Sequence, residues 1–366
     1  MPNIYVYAEL LLNIRQVTVI AILPSSCNET THIELDSDHV ILRLRHEDEG
    51  SSIGLPCPVL NDANVKVPTI PTKELSFRLA VSGSSKLPGR TRSLSDDTIP
   101  WPASALTSEA QLACGSCGNL LVTDVKVWKD LPSGGWADMM DFWHCHKPTI
   151  EDTPNGSAGS TKGYAASNVL GPTTGVGLVD ISCFHVADSD GTGICSNIQQ
   201  VSLECSSCHK IIGTRDEKNK SLRLFKWSTS VRQDGRSTPE TCSVQEIISA
   251  QLLALREEQA VHKFLVHGGN IDEVKDALLL WIFTPDLLYS TSTSPPQRAM
   301  KVFYTFITNP SAVLEKQSVR IEELEIPSYA LEHLQSDLKA STSMLPPSAQ
   351  QHQTWTIGLL HRFPHS

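Results

Sequence analysis

The sequence predicts an α+β chain, mostly β, in three parts. These are an N-terminal antiparallel β domain (residues 1–106), a central zinc-knuckle region with a long insert (107–228) and a C-terminal α+β domain (229–366). Three observations predict it. Short alternating or apolar runs separated by Pro, Ser, Asn and Asp fill the first part, the pattern of strands joined by turns. Two Cys-x-x-Cys pairs bracket the middle. Helical and strand periodicities both occur in the last third.

In the first part, Ile33–Asp36, Val40–His46 and Leu75–Val81 read as strands of a sandwich or open barrel. Pro56, Pro58, Pro68 and Pro71 exclude a continuous central strand between residues 56 and 71. The Ser- and Pro-rich stretch 82–105, with Arg90 and Arg92, reads as a flexible surface connection.

The middle opens with Cys114-Gly-Ser-Cys117-Gly118 and closes with Cys205-Ser-Ser-Cys208-His209. Each pair places two thiolates three positions apart on a tight turn. Together they supply the four sulfurs of a closed, structural zinc site, with no position left for water. Between them, Leu120–Trp128 reads as one strand and Asp130–Ser133 as a turn ending in a helix N-cap. Trp136, Met139 or Met140, and Trp143 then recur at helical spacing, with Pro148 as a stop signal. Asn155–Gly177 is too rich in Gly, Ser and Thr to pack and reads as a long loop. It lacks the Gly-Lys-Ser/Thr of a phosphate loop. Val179–Val186 reads as a returning strand, and Lys210–Gly213 with Leu222–Trp227 as a hairpin.

In the last third, Ser243 and Glu246 have capping-box spacing. They precede a helix with Val244, Ile247, Ile248, Leu252 and Leu255 on one face. Ala277–Phe283, Met300–Ile307 and Val319–Leu324 read as strands of one sheet. Leu331, Leu334 and Leu338 mark a short helix, and Trp355–Phe363 is a final strand.

Composition excludes several classes. With 40% apolar and 19% charged residues the chain reads as an ordinary soluble protein. A net charge of −10 without Lys/Arg runs argues against a broad nucleic-acid surface. Residues 1–15 lack the basic start of a secretory signal, and the apolar runs are too short to span a bilayer. Ten cysteines arranged partly in metal spacing then imply a reducing compartment, the cytoplasm or nucleus. The Asn-x-Ser/Thr matches at Asn28 and Asn155 read as chance. There is no Ser-His-Asp signature, zincin motif or nucleotide loop.

The knuckles, the Val127–Pro132 run, the Trp136…Trp143-His144-Cys145-His146 segment and the C-terminal Trp355-x-x-x-Leu-Leu strand together resemble the HECT-like ubiquitin-protein ligases named for binding ubiquitin-conjugating enzymes. The resemblance spans most of the chain and is most specific from Cys114 to Trp227. It implies a ubiquitin-conjugating enzyme and ubiquitin as partners, with transfer through a thioester. It also implies a link to the metallo-β-lactamase-type endonuclease of mRNA 3′-end processing, reached by a segment that Cys145 and His146 match.

A HECT-type ligase carries ubiquitin on a C-terminal cysteine, yet no cysteine follows Cys242. Cys242, just before a helix N-terminus, is the local candidate nucleophile. Cys27, Cys57, Cys183 and Cys195 carry no pattern. In an extended segment His144 and His146 face opposite to Cys145, so the three do not share one metal. That leaves presentation to a partner's metal through Trp143, His144, Cys145 and His146, a second metal site, or a packed helix end. Trp128, Trp136 and Trp143 are equally readable as core.

Overall fold

Alternation of apolar and polar residues organises the start of the chain into six strands: β1 (Tyr5–Leu11), β2 (Gln16–Ile22), β3 (His32–Leu35), β4 (Ile41–His46), β5 (Glu49–Gly54) and β6 (Glu74–Ala80). In β4 the period of two is complete, with Leu42, Leu44 and His46 inward and Ile41, Arg43 and Arg45 outward. Strands β3, β4 and β5 form a small antiparallel sheet. Its Leu42, Leu44 and Ile53 share a core with Val6, Val17, Val19, Leu75 and Leu79 of β1, β2 and β6. Buried His46 is satisfied on both ring nitrogens, by Ser25 Oγ at 2.7 Å and Thr31 Oγ1 at 2.8 Å.

The computed structural model describes residues 4–60, 70–83, 99–131, 171–197, 202–217, 220–233, 238–271, 273–274, 276–315 and 320–363. They fall into two units, one made of Met1–Thr98 with Val244–Ser366 and the other of Ile99–Ser243.

The Ile99–Ser243 unit contains β7 (Gln111–Cys114), β8 (Leu120–Val122), β9 (Val127–Asp130), β10 (Val176–Val179), β11 (Cys183–Ala187), β12 (Ile194–Asn197), β13 (Ser202–Cys205), β14 (Ile211–Asp216), β15 (Ser221–Phe225), β16 (Thr229–Arg232) and β17 (Glu240–Thr241). One sheet runs β12-β13-β14-β15-β11-β10-β9 and a second β17-β16-β7-β8. The expected single strand Leu120–Trp128 is two strands, β8 and β9, in different sheets. The expected strand Val179–Val186 likewise divides. Asp180 turns β10 into β11, its carboxylate accepting the Ser182 and Cys183 N–H groups at 2.6 and 2.5 Å. The β14–β15 hairpin stands where the sequence places it. Strands β9 and β10 pair in parallel. Leu131, just past the end of β9, lies beside Val179, and Gly175, just before β10, lies beside Val127.

The remaining elements are α1 (Val244–Gln259), β18 (Lys263–His267), β19 (Ala277–Thr291), β20 (Ser294–Ile307), α2 (Pro310–Glu315), β21 (Ile321–Glu325), α3 (Ser328–Met344), β22 (Gln351–His352) and β23 (Trp355–His361). Both α1 and α3 pack on β23. Ser341 of α3 donates to Leu338 O and accepts from Leu359 N–H, both at 2.9 Å. A Cβ at Gly358 would lie 2.8 Å from a Leu338 methyl and 3.1 Å from the Tyr304 ring, so a larger residue there would force these side chains to shift.

One sheet runs β22-β23-β20-β19-β1-β2-β6, with β18 beside β19 and β21 beside β18. This corrects the separation of residues 1–106 from 229–366, since Tyr7 of β1 stands opposite Thr291 of β19. The physical reason is an edge. β19 is 15 residues long and β18 covers only one end of it, so β1 completes the ladder. The sequence also understates β19, β20 and α3. Pro285, Pro295 and Pro296 interrupt the β signal, and bulges accommodate the irregularity of β19. No helix among the described residues is long and apolar enough to cross a membrane.

Asp286 is the electrostatic tie of this sheet. It accepts from Arg298 Nε at 2.5 Å and Nη2 at 2.9 Å, and from Arg362 Nη1 at 2.9 Å. Arg362 is 5% exposed. Asp286→Ala leaves two guanidiniums around an empty position and should destabilise this unit by roughly 3 kcal/mol. A urea transition with an unchanged midpoint would contradict that assignment.

Candidate metal centre

The two knuckles are built alike, each at the tip of a hairpin. In the first, β7 runs into Cys114 and β8 leaves after Asn119. In the second, β13 runs into Cys205 and β14 leaves after Lys210. Cys114 N–H donates to Asn119 O at 2.8 Å, and Gly118 N–H to Cys114 O at 2.8 Å. The second knuckle repeats both bonds. Cys205 N–H donates to Lys210 O at 3.0 Å, and His209 N–H to Cys205 O at 2.9 Å. The fourth position after the first cysteine is left-handed in both, Gly118 at φ 74° and His209 at φ 57°. A histidine there pays a small conformational cost that glycine avoids.

The folded chain brings the four thiols together from opposite ends of the insert. All four sulfurs lie within 4.8 Å of one another. Cys114 stands 3.7 Å from Cys208, and Cys117 stands 3.6 Å from Cys205. These separations exceed a disulfide bond of about 2.05 Å. They match the roughly 3.8 Å between sulfurs of a tetrahedron with metal–sulfur bonds of about 2.3 Å. Four sulfurs this close could be held by one four-coordinate metal ion.

The electrostatics of the bare thiols differ across the cluster. Burial pushes Cys114 up to about 12, against the backbone N–H groups of Cys117 and Ser116. Burial also acts upward on Cys205, but the N–H groups of Cys208 and Ser207, with Cys117 and Asn119, more than offset it and bring it to about 6. A divalent cation would let all four sulfurs be thiolates, because ligand deprotonation and metal binding are linked.

Sequence reasoning did not single out the groups that join the knuckles. Asn119 Nδ2 lies 3.6 Å from Cys205 Sγ, 3.2 Å from Gly193 O and 3.4 Å from Ser206 Oγ. Gly193 O also accepts from Ser206 N–H at 2.9 Å. A Cβ on Gly193 would sit 2.4 Å from Leu120 O. Arg232 Nη2 donates to Gly118 O at 3.0 Å. The one available signal was Asn119 itself, adjacent to the first knuckle.

The other sequence-selected residues stand elsewhere. Cys242 is 5% exposed and contributes to the electrostatics of Lys226 rather than to an open cleft. Cys27, Cys57 and Cys183 are also buried, whereas Cys195 is exposed on β12. Trp128 is core, edge-on to Phe184 at 5.7 Å. Trp136, Trp143, His144, Cys145 and His146 lie outside the described residues.

Lys226 is the feature the sequence concealed. It is fully buried, donates to Pro100 O and lies 5.2 Å from the centre of the Phe184 ring. Burial lowers it to about 8, although Asp180, Cys242, Cys183 and Asp130 act in the opposite direction.

A family model for HECT-like ubiquitin-conjugating enzyme (E2)-binding proteins matches residues 9–357. The chain belongs to this family. The HECT-like E2-binding match takes in the four cysteines, the buried lysine and most of the shared sheet. An uncharacterized protein of Schizosaccharomyces pombe is 26% identical over 282 residues, covering 72% of this chain and 78% of its own length. An uncharacterized protein of Saccharomyces cerevisiae is 24% identical over 265 residues, covering 70% of this chain and 71% of its own. No solved structure matches the chain.

Two outcomes follow for purified protein. A Cys205→Ser chain should lose its tightly held metal and melt well below the wild type, since a tetrathiolate site contributes on the order of 10 kcal/mol in small zinc domains. Equal metal content in both proteins would remove the assignment. For Lys226, the unfolded chain holds a proton between pH 8 and 10.5 that the folded chain has released. Its contribution therefore grows as pH rises through that window and is lost as pH falls to 8. Lys226→Met should flatten the pH dependence of denaturant stability there by on the order of 2–3 kcal/mol. Parallel wild-type and variant curves would refute it.

Proposed function

We propose that this HECT-like family member binds a ubiquitin-conjugating enzyme and promotes ubiquitin transfer as a zinc-stapled scaffold, without carrying ubiquitin on its own cysteine. The support for binding is membership in a family described by that property. The observation that carries the scaffold reading is the placement of the thiols. A thioester-forming cysteine must reach the activated carboxyl end of ubiquitin. Cys242, the last cysteine in the chain, is buried, as are Cys27, Cys57 and Cys183. The four knuckle sulfurs lie within 4.8 Å of one another, where a shared metal would hold them, and the exposed Cys195 and Cys145, which lies outside the described residues, are the thiols the assay must test. Zinc is the metal we assign, because an all-sulfur, four-coordinate set of this size is the usual structural zinc site. The same reading places the protein in the cytoplasm or nucleus, where such thiolates remain reduced.

The parallel pairing of β9 and β10 supports a second reading. It fixes the two ends of the 131–175 span at opposite ends of one pair of strands, residue 131 beside Val179 and residue 175 beside Val127. A segment held in this way can be presented to a partner. Trp143, His144, Cys145 and His146 fall within that span and would dock on the metallo-β-lactamase-type endonuclease.

The test is a single-turnover assay with ubiquitin-charged conjugating enzyme, using wild type and Cys145→Ala, Cys195→Ala and Cys242→Ala chains. The scaffold reading expects a complex with the conjugating enzyme, faster discharge onto amine acceptors, and no thiol-reducible ubiquitin adduct on any chain. A reducible adduct lost in one variant would overturn it and name the nucleophile. Selective loss of endonuclease capture in Cys145→Ala, at unchanged melting temperature, would support the second reading.

A further inference from the structure

The four knuckle sulfurs are chemically matched but not equally accessible. Cys114 and Cys205 are 1% and 0% exposed, Cys208 is half-buried, and Cys117 is open to solvent. Cys117 is also the sulfur that faces Cys205 across the two knuckles, at 3.6 Å. An oxidant arriving from solvent therefore meets Cys117 first, with a partner thiolate from the other knuckle already beside it. Thiol reactivity follows exposure and thiolate character, and metal binding supplies the latter.

We propose that the centre is a redox-convertible staple, in which a hydroperoxide exchanges the metal for a Cys117–Cys205 disulfide that still joins the two knuckles. The inference rests on the zinc reading above. The Cys117 thiolate attacks one oxygen of the hydroperoxide. A sulfur–oxygen bond forms, the oxygen–oxygen bond breaks and hydroxide (or alkoxide) leaves. The Cys205 thiolate then attacks the sulfenic sulfur, forming the sulfur–sulfur bond and expelling the second hydroxide. Two thiolates have lost two electrons, the hydroperoxide has gained them, and two protons from solvent complete the oxygen products. Cys114 and Cys208 alone, half of the donor set, would then remain to hold the metal, too few to retain it.

The geometry also accounts for survival of the fold. The Cys114–Cys208 and Cys117–Cys205 pairs each join one knuckle to the other, so the new bond would span the same chain ends as the metal. The Asn119–Gly193–Ser206 bonds hold the knuckles together independently of it. A disulfide within one knuckle would not join the two hairpins.

The experiment uses the full-length zinc-loaded chain carrying Cys145→Ser and Cys195→Ser, which removes thiols outside the cluster that could react. Limiting hydrogen peroxide is added while a chromogenic chelator reports released zinc, and non-reducing peptide mapping locates disulfides. A parallel sample without peroxide is pulse-labelled with a maleimide. The expected result is Cys117 labelled fastest, one zinc released per Cys117–Cys205 disulfide, a retained circular dichroism spectrum, and zinc rebinding after reduction. A disulfide within either knuckle, zinc retained after disulfide formation, or Cys114 labelled as fast as Cys117 would each overturn the proposal. Freshly purified chain without zinc would overturn the zinc reading as well, which separates the two failures.

Discussion

One constraint governs the middle of this protein: four sulfurs from two distant hairpin tips must meet within a metal's bonding radius. The chain meets it by using the same local device twice. Each cysteine pair is wrapped by the same two backbone hydrogen bonds and released by a left-handed residue at the same position. The repetition makes the sulfur geometry a property of local turns, which need little support from the rest of the unit. What remains is to bring the tips together, and the bonds of Asn119 and Gly193 supply that register.

The other unit depends on a different kind of closure. Its long β19–β20 hairpin presents more ladder than the C-terminal strands can cover, and the N-terminal strands complete it. The compact unit Ile99–Ser243 interrupts this one in sequence, and the shared sheet takes strands from both sides of it. The HECT-like E2-binding match across residues 9–357 follows this whole arrangement rather than the knuckles alone.

The cysteine cluster was legible in the sequence because Cys-x-x-Cys spacing encodes local geometry, and two copies predict a shared site. The β character, the capping-box helix α1 and the β14–β15 hairpin were legible for the same reason, being local periodicities. The pairing of β1 with β19 was not, because strand partnership across hundreds of residues leaves no periodic trace. The break between β8 and β9 was hidden because Leu120–Trp128 alternates well enough for one strand, and only tertiary pairing divides it. Lys226 sits in an apolar-flanked Phe-Lys-Trp run, where sequence alone suggests an exposed charge. Its burial depends on Phe184 and the Pro100 carbonyl, both remote in sequence.

The tetrathiolate centre is best tested by X-ray absorption at the zinc edge on the purified chain, alongside elemental analysis. The proposed zinc staple predicts one zinc per chain with four sulfur scatterers at about 2.3 Å and no light-atom ligand. A first shell containing nitrogen or oxygen, or a metal-free chain that remains folded, would contradict it.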